Sequence, residues 1–136
     1  MIVVDASAVI ARVLKSQRTP AATAFFDGEL PLLIAPAIFA FEVRNGLTRA
    51  ERRGLAKVST VDQASLEISE LVLCRPWSDH ANDFARQINL ARQEKLVLFD
   101  AAYLDLAIQE HAGLASRDIS LLAAAQRRNV LIHDLR

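Results

Sequence analysis

The sequence predicts an α/β fold: a three-layer α/β/α arrangement in which helices cover both faces of a central parallel sheet of about five short strands. Three observations predict it. Short apolar runs such as Ile2-Val3-Val4 and Leu114-Ala115-Ser116 alternate with longer amphipathic segments. The runs do not alternate apolar with polar, so both of their faces are buried, as parallel strands between helices require. The chain has 136 residues, 52% of them hydrophobic, enough for one core and too few for two. A single domain over 1–136 is therefore expected.

Taken in order, residues 2–4 read as a buried strand and about 6–15 as a helix. Thr19-Pro20 opens a second helix near 19–27, which Gly28 closes. Residues 32–35 form the next strand. Pro36 suits the first turn of a long helix reaching about 53, ended by Gly54. Ser59 or Thr60 caps a helix to about 71, and 72–77 suggests a strand. Ser78 caps a helix to about 93. Asp100 opens a helix to about 112, with Gly113 as its stop. Residues 114–116 are a fourth strand, 118–129 a helix, and 130–132 a fifth strand.

Composition excludes several classes. The longest apolar stretch, residues 30–41, is interrupted by Pro31 and Pro36 and is too short for a bilayer-crossing helix of about 20 residues. No basic region precedes the first apolar residues and Asp5 comes early, so no signal peptide is expected. Cys74, the single cysteine, excludes a disulfide framework and a thiolate metal cage. Cytoplasmic residence is the expected default. The 16 basic and 16 acidic residues cancel. Residues 44–57, however, carry Arg44, Arg49, Arg52, Arg53 and Lys57 against Glu51 alone. This stretch suits a polyanion or simply a solvated helix end.

Four acids stand beside or within apolar runs: Asp5 after 2–4, Glu42 inside 36–43, Asp100 after 96–99, and Asp118 after 114–117. A carboxylate withdrawn from water must be paired, protonated or bound to a metal. In a doubly covered parallel sheet, sites form beyond the C-terminal ends of the strands. Asp5 and Asp118 fall at two such ends. On its helix Glu42 lies near Ile38, Asn45 and Arg49, flanked by Phe39 and Phe41, so protein should cover it; pairing with Arg49 is the plainer alternative. Asp100 shares a face with Leu104, Ala107 and His111, whereas Asp105 groups with Gln109 on an edge that reads as solvent. Asp5 and Asp118 also suit helix N-caps. Ser7, Ser116 and Asn45 lie where they can orient a carboxylate or a bound water. Trp77 and Cys74 read as core, and His111 as a core-edge histidine.

Four converging carboxylates without a cation repel, at about 1 kcal/mol per pair at 4 Å in water and more in a drier cleft. Hard oxygen ligands without His or Cys favour Mg²⁺ or Mn²⁺. His80, His111 and His133 form no zinc-like spacing, and the four glycines make neither a P-loop nor a GxGxxG. A divalent cation on carboxylates activates water and steadies charge on phosphate.

Here four motifs become legible. Val3-Val4-Asp5-Ala6-Ser7-Ala8, Phe41-Glu42-Val43-Arg44-Asn45-Gly46-Leu47, Phe99-Asp100-Ala101-Ala102-Tyr103-Leu104-Asp105-Leu106-Ala107 and Leu114-Ala115-Ser116-Arg117-Asp118 follow in order along nearly the whole chain. Together they resemble the PIN-domain nucleases, and within them the VapC-type toxins of toxin–antitoxin pairs. Ser116 stands where Thr is usual, and Phe99 where Tyr is frequent. The resemblance implies that Asp5, Glu42, Asp100 and Asp118 bind Mg²⁺ or Mn²⁺ and support endoribonuclease cleavage. It also implies a homodimer and a small VapB-type antitoxin that covers the site. Arg44, Arg49, Arg52 and Arg53 of the basic stretch are the expected contacts to RNA or antitoxin, on charge balance alone.

Two alternatives accompany this reading. One is a non-catalytic module of the same fold that binds RNA or protein. The other is a haloacid-dehalogenase-type phosphatase, disfavoured because Ser7 stands where that chemistry needs a second Asp.

Overall fold

The computed structural model describes residues 1–76, 78 and 80–136. In chain order its elements are β1 (Ile2–Val4), α1 (Ala6–Val13), a 3₁₀ turn (Lys15–Gln17), α2 (Pro20–Asp27), β2 (Leu33–Ala35), α3 (Phe39–Arg52), α4 (Val58–Leu71), β3 (Val72–Cys74), α5 (Ala81–Glu94), α6 (Leu98–Gln109), β4 (Gly113–Ser116), α7 (Ile119–Arg127) and β5 (Ile132–Asp134). The five strands form one sheet in the order β3-β2-β1-β4-β5, and every pairing is parallel. Helices flank the sheet, with α1, α6 and α7 against β4 and α4 against β3. The predicted α/β class and parallel sheet are what forms.

β1 occupies the middle, with Val3 opposite Ile34 on one side and Leu114 on the other. Val3, Val4, Ile34, Ala35, Leu114 and Ala115 are fully buried, which is why these runs are apolar at every position. The chain winds outward from β1 through β2 to β3, then crosses to β4 and β5. The reversal lies between β1 and β4, where such sheets open a crevice at their C-terminal ends.

Local signals place several ends well. Thr19 accepts from Ala22 N at 3.0 Å with Pro20 in the first turn, and Gly28 closes α2. Gly54, at φ 70°, takes the left-handed turn after α3. Other ends differ from the expectation. α1 stops at Val13 and the chain tightens into the 3₁₀ turn. α3 starts at Phe39, because Pro36 to Ile38 form a preceding turn. Lys57 precedes α4 without a side-chain cap, and Ser59 and Thr60 lie inside its first turn. His80 rather than Ser78 is the cap residue of α5; the Ser78 hydroxyl instead bonds Asp83 and accepts from His80 N. α6 begins at Leu98, so Asp100 sits within its first turn.

Gly113 is no helix stop. It opens β4 opposite Ile2, and a side chain there would press on Leu131 O and His133, so its smallness serves strand packing. β5 falls two residues later than expected, and β3 ends at Cys74. Trp77, expected in that strand and in the core, lies outside the described residues.

Three burial expectations are overturned. Asp105 is 4% exposed, because its polar edge meets α5 instead of water. Arg86 grips it with Nε to Oδ1 at 2.7 Å and Nη2 to Oδ2 at 3.0 Å. Cys74 is exposed, since β3 is an edge strand. His111 is exposed too, in the left-handed turn (φ 48°) that leaves α6. Among the described residues, no helix is long and apolar enough to cross a membrane.

Candidate active site

Asp5 is the first residue beyond β1. Its extended backbone lets it cap α1: Oδ1 accepts from Ala8 N at 2.8 Å and from Ser7 Oγ at 2.7 Å. Ser116, the fully buried last residue of β4, donates its hydroxyl to Asp5 Oδ2. The two serines also knit the neighbouring strand ends together. Ser7 Oγ accepts from Arg117 N at 3.2 Å, and Ser116 Oγ accepts from Asp118 N at 2.9 Å. Through these bonds the two serines hold the Asp5 carboxylate and the backbone before Asp118. Asp118 caps α7 through Leu121 N at 2.8 Å and stays exposed. Capping does not exhaust either acid, because a carboxylate offers about four lone-pair positions.

Glu42 lies in the first turn of α3 and is half-buried. Its partner is not Arg49. Tyr103, 1% exposed on α6, donates its hydroxyl to Glu42 Oε2 at 2.5 Å, a short charge-assisted bond. The Ala6 backbone bonds the same hydroxyl. One phenol therefore touches the residue after Asp5, holds Glu42, and stands one turn from Asp100. Tyr103 stands within the third motif, where no role was expected of it. The available signal was that a buried tyrosine needs a partner for its hydroxyl.

The four acids feel one another's charge. Burial pushes the Asp100 carboxyl up to about 6, and the charges of Asp118, Glu42 and Asp5 push in the same direction. Burial also raises Asp5, with Asp118 adding to it, against the lowering effect of bonds from Ser116, Ala8 and Ser7. Glu42 is raised by burial and by Asp5, while Tyr103 opposes the shift. Among the described residues, no Lys, Arg or His forms an ion pair with any of the four.

The arrangement is open. Among the described residues, no three His, Cys, Asp or Glu side chains close into a metal cage. The donors are carboxylate oxygens without a His or Cys among them, a set that suits a hard divalent cation keeping part of its water shell.

The other predicted residues divide. Asn45, Arg49 and Arg53 line a cavity that also reaches Ser7 and Glu42. Arg44 lies over the Phe41 ring at 6.0 Å and faces a different groove beside Cys74. Arg52 is exposed and lines neither. Phe41, expected to flank a covered Glu42, is itself 69% exposed.

A family model described as PIN domain matches residues 2–127. No curated protein sequence matches the chain. Among solved structures, PAE2754 from Pyrobaculum aerophilum superposes with a TM-score of 0.68 at 19% identity, over 96% of this chain and 89% of that one. FitAcB from Neisseria gonorrhoeae gives 0.67 at 19% identity, over 98% and 97%. A FitAB structure bound to an IR36 DNA fragment gives 0.63 at 17% identity, over 98% and 94%. At these identities the likeness is one of fold.

Proposed function

The chain belongs to the PIN domain family, and from that premise we propose that it is a metal-dependent endoribonuclease, the VapC-type toxin of a type II toxin–antitoxin pair. The observation that carries the reading is a set of four acids at one sheet edge, mutually repelling and without a cationic partner among the described residues. Asp5, Glu42, Asp100 and Asp118 would hold Mg²⁺ or Mn²⁺. Bound there, the cation supplies an activated water and neutralises charge on the phosphate.

The chain's own groups prepare that chemistry. Ser7 and Ser116 fix the Asp5 carboxylate from both oxygens, so it need not reorganise when a ligand arrives. Tyr103 holds Glu42 toward the same space. Asp100, with its carboxyl near 6, holds or releases a proton close to neutral pH while the cluster lacks a cation. Asp118 presents its carboxylate at the open side, where an RNA backbone would approach. A small antitoxin offering a basic side chain to these acids would relieve the same repulsion and so block the site. A homodimer and cytoplasmic action belong to the same proposal.

The deciding experiment is RNA cleavage by antitoxin-free protein with Mg²⁺ or Mn²⁺, repeated with EDTA and with Asp5→Asn. Cleavage should need the metal and should vanish in the variant. Cleavage that survives EDTA, or full activity of Asp5→Asn, would sink the proposal. Metal binding without cleavage of any RNA would point to a non-catalytic binding module.

A further inference from the structure

Glu42, Asn45, Gly46, Arg49 and Ala50 recur at helical spacing along one stripe of α3, and with Arg53, the residue that caps the helix, they wall a cavity of about 330 Å³. At one end the cavity reaches Ser7 and Glu42 of the acidic site; further along stand Arg49 and Arg53, one turn apart. The floor is α1, approached closely: a side chain at position 46 would press on Ile10 Cδ1 and force that side chain to shift. Arg49 and Arg53 are exposed, and among the described residues neither has an acidic partner. Gln17 and Asn45 add neutral amides to the same walls.

Along the helix, Arg49 lies about 10 Å and Arg53 about 16 Å from Glu42. That is too far to serve a phosphate held at the acids and suits its neighbours on the same strand. We propose that this cavity is a phosphate subsite, in which Arg49 and Arg53 receive the backbone of the nucleotides flanking the one held at the acids. The trough is open and continuous with the acidic site, which a chain of phosphates needs and a single small anion does not. The assignment rests on the proposed nuclease function for its position beside the cut, and on the cavity alone for its preference for anions. It also separates Arg49 and Arg53 from Arg44 and Arg52, which face elsewhere.

The test is binding of a mixed-sequence single-stranded RNA of about twelve nucleotides in EDTA, followed by fluorescence anisotropy over a salt series. Losing two phosphate contacts should flatten the slope of log K against log salt by about 1.4 in Arg49→Gln/Arg53→Gln. Arg92→Gln/Lys95→Gln, which removes two exposed charges from the α5 end, should leave the slope unchanged. An unchanged slope in the first variant, or an equal fall in both, overturns the subsite. So does arginine-dependent binding of polyglutamate by a protein that binds no RNA. Cleavage plays no part in EDTA, so the two readings fail separately. A protein that cuts RNA with Mg²⁺ yet keeps its slope loses only the subsite. One that shows the slope change but cuts nothing loses only the nuclease reading.

Discussion

At the scale of the residue, the Tyr103 hydroxyl ties together three of the helices that carry or adjoin the acids. Phenylalanine there keeps the packing and removes only the hydroxyl, with its bonds to Glu42 and to the Ala6 backbone. Tyr103→Phe should therefore cost about 1 kcal/mol of stability, weaken Mn²⁺ binding measured by calorimetry, and lower cleavage about tenfold. Equal Mn²⁺ affinity in the variant would show that Glu42 needs no such support. Asp100 yields a prediction of a different kind. Its folded carboxyl is raised from 3.8 to about 6, so its contribution to stability is fully present below pH 4 and is lost as pH rises through 6. Allowing for partial exposure, the loss is on the order of 1 kcal/mol. Metal-free Asp100→Asn should melt above the native protein at pH 7.5 and with it at pH 4. Identical melting at both values would mean that Asp100 feels no such repulsion.

At the scale of the element, polar clamps decide how helices meet. Asp105 joins α6 to α5 through Arg86 and through Gln87 Nε2 at 3.3 Å, and Arg86 also reaches Asp83 at 2.6 Å. Glu94, at the end of α5, takes Arg127 at 2.8 Å and Arg128 at 2.5 Å from the end of α7. Asp105→Ala removes two charge-assisted bonds from Arg86 and one from Gln87, leaving the guanidinium with Asp83 and solvent, and should cost about 2 kcal/mol in urea denaturation. Arg86 is partly exposed, which keeps the figure below the ~3–5 kcal/mol of a fully buried pair. A cost under a few tenths would return Asp105 to the solvated edge first read from the helix wheel. That reading went wrong for a definite reason: periodicity separates polar from apolar faces but cannot say which polar edge another helix will cover.

At the scale of the whole molecule, residues 5, 42, 100 and 118 come from four separate elements, and their repulsion is a strain across the fold. A bound divalent cation should relieve it. At a hundred times its dissociation constant the ion adds about 2.7 kcal/mol to folding stability, visible as a rise in melting temperature that Asp5→Asn abolishes. Melting unaffected by millimolar Mg²⁺ and Mn²⁺ would argue against a metal centre at this edge.

By itself the sequence determined the α/β class and most of the strands and helices, and it singled out four acids beside apolar runs as the candidate site. These follow from signals carried by neighbours in the chain: apolar runs, helical spacing, Thr19 as a cap, and Gly28 and Gly54 as stops. The bond from Ser116 to Asp5 was anticipated as a role but not as a partner. Only the tertiary structure decided that β1 lies between β2 and β4, which sets Asp5 beside Asp118. The same long-range packing aims Tyr103 at Glu42, buries Asp105, exposes Cys74 on an edge, and puts Arg49 and Arg53 in a trough that Arg44 and Arg52 do not reach. The physical reason is common to all of these. Which groups meet across elements depends on strand order and helix docking, and these are set by the burial of the whole core rather than by any one segment.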